Sequence, residues 1–338
     1  MSVSSTPRSI VKAMVRGDAP TRPLLIPLMF ALGAKLENLS LRDFRLNPTR
    51  IANALRQVRG VLKLDGVTCY LDSYLELKAL GCICSEDEQG AGRIEPAPHG
   101  TNDLRERLES QGSLATCTPI NVACEVVRRL KIMLVGEPAL MVVINGPRSL
   151  AAQLTEVEAT TDSLKEVSVV LGAEVALSVS RTFVEAGADV VVLRERWTSA
   201  MSPEGIRRWV DSIEPIANLL RFYEVLPVLL LDAPGASGEN LAQLANELPN
   251  CVLVPLPTDG RAKLPGLSRR LNGIALPVSI FESDQFKRGS ISQAVTSLRF
   301  EPDLALLTSS HDVPPTADPK QVALFFQQVR SHISVSAQ

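Results

Sequence analysis

Short apolar runs that stop abruptly at polar residues recur along the chain. Eight have strand length: Leu24–Met29, Gly66–Leu71, Leu140–Ile144, Asp189–Leu193, Pro227–Leu231, Cys251–Leu256, Gly273–Val278 and Asp303–Leu307. Several, such as VVVL and PVLLL, are rich in Val and Leu without alternation, the pattern of strands covered on both faces in a parallel sheet. Between them lie stretches with apolar residues at helical spacing: Asn47–Val58, Val122–Lys131, Leu150–Glu185, Pro203–Leu220, Asn240–Leu248, Ser290–Leu298 and Pro319–His332. Ser202 before Pro203 and Asp318 before Pro319 each set a capping oxygen ahead of a proline at the first helical position. Strand and helix thus alternate about eight times, with connections long enough for right-handed crossovers, and a (β/α)8 TIM barrel is the simplest closure.

No Gly- or Ser-rich linker divides the chain, so residues 1–338 are expected to form one domain. The segment Cys82–Gln111 is polar and weakly periodic and follows the second strand, where a barrel carries its active-site loops. It reads either as a lid loop over the site or as a solvated surface insertion.

Composition narrows the function classes. Of 338 residues, 45% are hydrophobic and 21% charged, as in an ordinary globular chain. Lys and Arg (35) nearly cancel Asp and Glu (37), so no basic face is expected for a phosphate backbone. Aromatics at 4% are too few for a base-stacking platform. Nucleic acid is therefore not an expected partner. No apolar run approaches the roughly 18–20 residues that cross a bilayer, and the start lacks a signal-like apolar region. Six cysteines spread thinly over the chain (Cys69, Cys82, Cys84, Cys117, Cys124, Cys251) do not resemble a secreted disulfide framework. A cytoplasmic protein with no membrane partner is the expectation.

In a barrel, the residues after each strand converge on one end. Here that end would gather Asp72, Asn145, Arg194, Glu195, Arg196, Asp232, Asp259, Glu282 and His311. Asp72 can hold a developing cation or pass a proton, or it can cap the next helix. His311 can transfer a proton near neutral pH; His99 falls in the proposed lid and His332 in the last helix. Arg194 and Arg196 have the shape to hold carboxylates or phosphates, unless they pair internally with Glu195.

Other chemistries lack their signatures. Cys82 and Cys84 form C-x-C without a matching His/Cys pair at zinc spacing. There is no Walker loop, dinucleotide fingerprint or Gly-x-Ser-x-Gly elbow. No metal and no cofactor are expected.

The order of motifs resembles the uroporphyrinogen decarboxylase superfamily, which includes porphyrinogen decarboxylases and corrinoid-linked methyltransferases. The likeness runs from TPRSIVKAMVRGDAPTRPLLIPLMF through GVTCYLDSYLELKALGC, ALMVVINGPRSLAAQL and GADVVVLRERWTSAMSPEGI to SSHDVPPTADPKQVALFFQQVRSHI. The resemblance implies a TIM barrel and makes Asp72 the match of the aspartate that contacts pyrrole nitrogens in the decarboxylases. His311 matches a substrate-side histidine. It further implies cofactor-free decarboxylation of an anionic, tetrapyrrole-related small molecule, with Asp72 stabilising a protonated pyrrole-like intermediate while a neighbouring acid returns the proton.

The departures point elsewhere. Decarboxylases carry Met-Arg-Gln-Ala-Gly-Arg after the first strand, where the arginines engage substrate carboxylates. This chain has Met29-Phe30-Ala31-Leu32-Gly33-Ala34, losing two charge-assisted contacts worth about 1.5–3 kcal/mol each. Arg196 stands close to a position where the family has serine. LMFALGAKLENLSLRDFRLNPTR and the Asp72–Glu76 spacing look more like the methyltransferase branch. Its thiol-activating members bind zinc through His-x-Cys after the fifth strand and a late Cys, where this chain has LLLDAPGAS and His311. The expectation is a divergent decarboxylase-like enzyme with Asp72 and His311 catalytic. Arg194, Glu195, Arg196, Asn145, Asp232 and Glu76 are expected to bind substrate. The alternatives are metal-independent methyl transfer with a corrinoid protein and a non-catalytic ligand-binding barrel. The resemblance also implies a homodimer.

Overall fold

The computed structural model describes residues 6–87, 92–94, 101–110, 114–134, 138–155, 166–196, 202–232, 243–244, 246–248, 251–255, 272–276, 278–281 and 304–336. Each of the eight apolar runs contains a strand. β1 is Leu24–Leu25, β2 Gly66–Thr68, β5 Ala139–Asn145, β6 Val190–Arg196, β7 Leu226–Asp232, β8 Val252–Pro255, β9 Asn272–Leu276 and β10 Leu304–Ser309. All their pairings are parallel, in the order β1-β10-β9-β8-β7-β6-β5-β2. Every residue of β5 and β10 is buried, which is why these runs do not alternate.

The two ends of this strand order approach each other. The Asp65 amide donates to the Leu25 carbonyl (3.1 Å) and the Asp65 carboxylate accepts from the Leu25 amide (2.9 Å). Arg22 forks onto the same carboxylate at 2.9 and 2.7 Å. The Thr68 hydroxyl reaches the Pro27 carbonyl at 3.0 Å. Gly66 permits this approach, because a Cβ there would lie 2.6 Å from the Ala139 carbonyl and 2.7 Å from Ile26 Cδ1. The connectivity is compatible with closure into a barrel.

Eleven helices accompany the strands among the described residues: α1 (Pro7–Val15), α2 (Phe30–Leu36), α3 (Leu41–Phe44), α4 (Pro48–Leu62), α5 (Leu75–Ala79), α6 (Thr101–Ser110), α7 (Thr118–Met133), α8 (Pro147–Thr155), α9 (Glu166–Ala186), α10 (Pro203–Phe222) and α11 (Pro319–Ser336). The expected caps form: Ser202 Oγ accepts from the Gly205 amide and Asp318 Oδ1 from the Lys320 amide, both at 3.0 Å. The single helix expected over Leu150–Glu185 is instead two, α8 and α9. The helix expected at Ser290–Leu298 lies outside the described residues; of Asn240–Leu248, residues 243–244 and 246–248 are described, and 243–244 and 246–247 are helical.

Helix α9 is, by length and composition, apolar enough to cross a membrane. Its Leu171, Val175, Val179 and Phe183 are buried, and it packs against α7, α8 and α10, so core packing accounts for its apolarity. The described residues of the 82–111 segment include regular elements. It holds an antiparallel hairpin, β3 (Cys84–Glu86) with β4 (Gly92–Ile94), and then α6. Its weak periodicity has a physical source, since two three-residue strands are too short to show alternation.

Candidate functional site

The chain leaving β2 carries Asp72 into an Asx turn, its Oδ1 accepting from the Tyr74 amide at 2.9 Å. The other oxygen accepts from Lys78 Nζ at 2.8 Å, and the same ammonium donates to Glu86 Oε2 at 2.7 Å. Arg45 completes the group: Nη1 lies 3.1 Å from Glu86 Oε1 and 3.9 Å from Asp72 Oδ1, while Nε donates to the Leu71 carbonyl at 3.2 Å. Asp72, Glu86 and Arg45 are almost sealed, with side-chain exposures of 2%, 7% and 8%. Two cations therefore balance two carboxylates in a low-dielectric setting, where each charge depends on its partners.

The sequence reading named only Asp72 of these four. Arg45 lies between α3 and α4, and its backbone carbonyl accepts from Tyr70 Oη at 3.1 Å. Phe30 wedges against Phe44 and Tyr70, with ring centroids 5.1 and 5.3 Å away. The first strand–helix region thus does supply a cation near Asp72, from a different position than the two missing arginines. Glu86 comes from β3, and the Tyr74 hydroxyl donates to the Gly92 carbonyl of β4. The segment expected to be a lid or a solvated insertion is joined to Asp72 through these contacts.

Glu76, fully buried on α5, accepts from the Asn145 amide on Oε1 and from Asn145 Nδ2 on Oε2, both at 2.8 Å. Asn145 Nδ2 also donates to the Ser73 carbonyl (2.9 Å), which Gln153 Nε2 reaches at 3.2 Å. This ties the end of β5 to the turn holding Asp72. Burial pushes the Glu76 carboxyl up to about 7, against the pull of its bonds to Asn145.

Arg194 and Glu195 face different surroundings, as neighbours on one strand must. Glu195 is 2% exposed and accepts four hydrogen bonds: Arg148 N (3.1 Å), Ser149 N (2.9 Å), Ser149 Oγ (2.9 Å) and Trp209 Nε1 (2.9 Å). Its carboxylate caps the amino end of α8 and anchors α10, so the hydrogen bonds described for it are structural ones. Gly146 makes room for it, because a Cβ there would fall 2.4 Å from Glu195 Cγ and Cδ. Arg194 is half-buried and close enough to Asp312 to favour its ionised form. Arg196 ends β6 and Asp232 ends β7; their side chains, with Asp259, Glu282 and His99, lie outside the described residues.

After β10 the chain exposes His311 and turns Asp312 inward. Ser309 Oγ fixes the bend, donating to the His311 carbonyl at 2.7 Å while accepting from the Leu28 amide at 2.9 Å. Asp312 accepts from the Phe30 and Ala31 amides (2.8 and 2.9 Å), closing the amino end of α2 across the sheet ends. Burial pushes its carboxyl up to about 7, opposed by those two amides and by Arg45 and Arg194. Asp312 is linked to the group around Asp72 through Phe30, whose amide it accepts from and whose ring meets Tyr70, the residue that donates to the Arg45 carbonyl.

These shifts set a pH dependence. Free carboxyls ionise near pH 4 in an unfolded chain, whereas Glu76 and Asp312 hold their protons to about pH 7 when folded. Between those limits the folded state binds more protons, so their contribution is complete below about pH 4, falls as pH rises and levels above about pH 7. Glu76→Gln removes one titration and is expected to flatten the slope by up to about 1.4 kcal/mol per pH unit between about pH 5 and 7. Urea denaturation at each pH measures this, and an unchanged slope contradicts it.

A groove of about 410 Å³ runs between α9 and α10, lined by Val170, Leu177, Trp209 and Ile216. None of Asp72, Glu76, Asn145 or Asp312 lines it. Among the described residues, no three His, Cys, Asp or Glu side chains come together as metal ligands. The donor set here consists of carboxylates already held by Lys78, Arg45 and backbone amides, which does not suit zinc.

The sequence profile described as uroporphyrinogen decarboxylase (URO-D) matches residues 6–228. A uroporphyrinogen decarboxylase of Streptomyces avermitilis is 24% identical over 315 residues, covering 87% of this chain and 84% of that protein. Among solved structures, a methyltransferase from Methanosarcina mazei superposes with a TM-score of 0.72 at 15% identity, covering 98% of this chain and 99% of its own. At that identity the superposition speaks to the fold. With the profile spanning well over half of the sequence, the chain belongs to the uroporphyrinogen decarboxylase family.

Proposed function

We propose that this member of the family transfers a methyl group from a small methylated donor to a corrinoid-carrying partner protein, on a single-domain, closed (β/α)8 barrel. The observation that carries the reading is the neutral cluster at Asp72. Arg45 and Lys78 are matched one for one by Asp72 and Glu86, so the cations beside Asp72 are not available to a polyanionic porphyrinogen. The positions of the two decarboxylase arginines are Phe30 and Ala34, both buried in α2. Full-length agreement in fold with the Methanosarcina mazei methyltransferase supports the same reading.

A reduced corrinoid on the partner supplies the electron pair that accepts the methyl group, while the donor heteroatom keeps the bonding pair of the bond that breaks. The chain's own residues position the donor and manage its proton. Asp72 and Asn145 supply acceptors and Arg194 a guanidinium, with Arg196 and Asp232 at the ends of the neighbouring strands. Asp312 holds a proton near neutral pH for the departing heteroatom, and His311, exposed beside it, exchanges that proton with solvent. The family resemblance extends the proposal to a homodimer in the cytoplasm.

The test is a paired assay. Purified protein with cob(I)alamin and a panel of methyl ethers and N-methylamines is expected to form methylcobalamin, read by chromatography. With uroporphyrinogen it is expected to form no coproporphyrinogen. Efficient coproporphyrinogen formation, or no methylcobalamin from any donor, overturns the reading. The second reading is cofactor-free decarboxylation of an anionic, tetrapyrrole-related substrate; it is favoured by Asp72 standing where the decarboxylases carry their aspartate, and its mark is release of carbon dioxide.

A further inference from the structure

The amide of Asn145 has two N–H donors and one carbonyl acceptor, and the fold fixes which faces outward. Both donors are engaged, one on the Ser73 carbonyl at 2.9 Å and one on Glu76 Oε2 at 2.8 Å. Ser73 offers a backbone oxygen, and Glu76 is locked by the bond from the Asn145 amide to its other oxygen, at 2.8 Å. A flipped amide would set Oδ1 against the Ser73 carbonyl, which has no hydrogen to give, and would lose the 2.9 Å bond from Nδ2. Oδ1 therefore remains as the outward group. It has no partner among the described residues and is not among the sealed, unpartnered atoms. It sits at the end of β5, one backbone contact from the Asp72 turn.

We propose that Asn145 is a specificity residue, held by Glu76 so that its carbonyl oxygen meets the ligand, and that the ligand carries an N–H or O–H donor at that point. The inference rests on the functional reading above for the location of the site and adds the polarity of the group bound there. A donor gains a hydrogen bond to Oδ1, whereas an acceptor of the same shape meets the oxygen lone pairs and leaves both groups unsatisfied. Glu76 is a positioning residue in this arrangement. Glu76→Gln would keep one oxygen for the Asn145 amide and turn an NH2 toward the side chain, which loosens the hold on its orientation while the Ser73 carbonyl still favours the native one.

Indole-2-carboxylate and benzofuran-2-carboxylate provide the test, since they differ only in a ring N–H against a ring oxygen. Binding is followed by titration of the nitrogen-labelled protein, reading the Asn145 side-chain amide signal. The native protein is expected to favour the indole by about tenfold. Asn145→Ala should bring the two affinities together, and Glu76→Gln should narrow the preference for the indole. A merely structural role for Glu76 would weaken both probes equally. Should Glu76→Gln fail to fold, the native and Asn145→Ala comparison carries the test. Equal binding by the native protein, or preference for benzofuran, overturns the inference while the methyl-transfer assay stands independently. Absence of binding by either probe also overturns it, and the methyl-transfer assay then decides the functional reading alone.

Discussion

Glu195→Ala is expected to lower stability by about 4 kcal/mol or more, with urea denaturation followed by circular dichroism as the measurement. The truncation leaves Arg148 N, Ser149 N and Trp209 Nε1 without an acceptor in a buried setting, and each orphaned donor costs about 1–3 kcal/mol. It also opens a hollow beside Gly146, whose missing Cβ had made room for the carboxylate. A domain of ordinary stability holds only about 5–15 kcal/mol in reserve, so the variant would sit near the edge of folding. Glu195→Gln should lie between, because it keeps one acceptor oxygen but turns an NH2 toward a neighbouring donor. If Glu195 instead served a ligand, the alanine variant would retain its stability and lose only binding.

Asp72→Asn is expected to reduce turnover at least about 100-fold while the fold survives, in line with the loss of a positioned acid–base or electrostatic group. The asparagine oxygen can still accept from the Tyr74 amide. The charge that meets Lys78 at 2.8 Å is gone, leaving Glu86 alone to balance buried Arg45 and half-buried Lys78 and lowering stability by about 1–3 kcal/mol. A second substitution separates the two effects. In Asp72→Asn/Lys78→Met the cluster is neutral again, so stability should recover while turnover stays low. Recovery of both would show that Asp72 acts only as a counter-ion, and an unimpaired single variant would remove its catalytic role.

The strands were legible because they are fully buried. A run such as ALMVVIN must be apolar at every position when both faces are covered, and it keeps that character whatever its neighbours are. The helix caps were legible for the same local reason, with donor and acceptor a few residues apart, as in Ser202 to Gly205. Helix α2 was not, since its FALGAKL is buried over its first five residues and its cap, Asp312, lies 282 positions from Phe30. Glu86 went unnoticed because three-residue strands give no periodicity, and Arg45 because nothing in LRDFRLNP distinguishes a buried guanidinium from a solvated one. A carboxylate beside His311 in SSHDVPP was the one available clue to Asp312, and the histidine drew the attention instead.

The sequence by itself determined the parallel strands, their alternation with helices and the placing of Asp72 at a strand end, because burial and capping write their demands within a few neighbouring residues. Tertiary structure alone decided what each polar side chain would meet. It turned Glu195 into a helix anchor, set Arg45 and Glu86 around Asp72, and put half-buried Asp312 beside exposed His311. Charges and hydrogen bonds act across a few ångströms of space, and only the folded chain brings residues hundreds of positions apart within that reach.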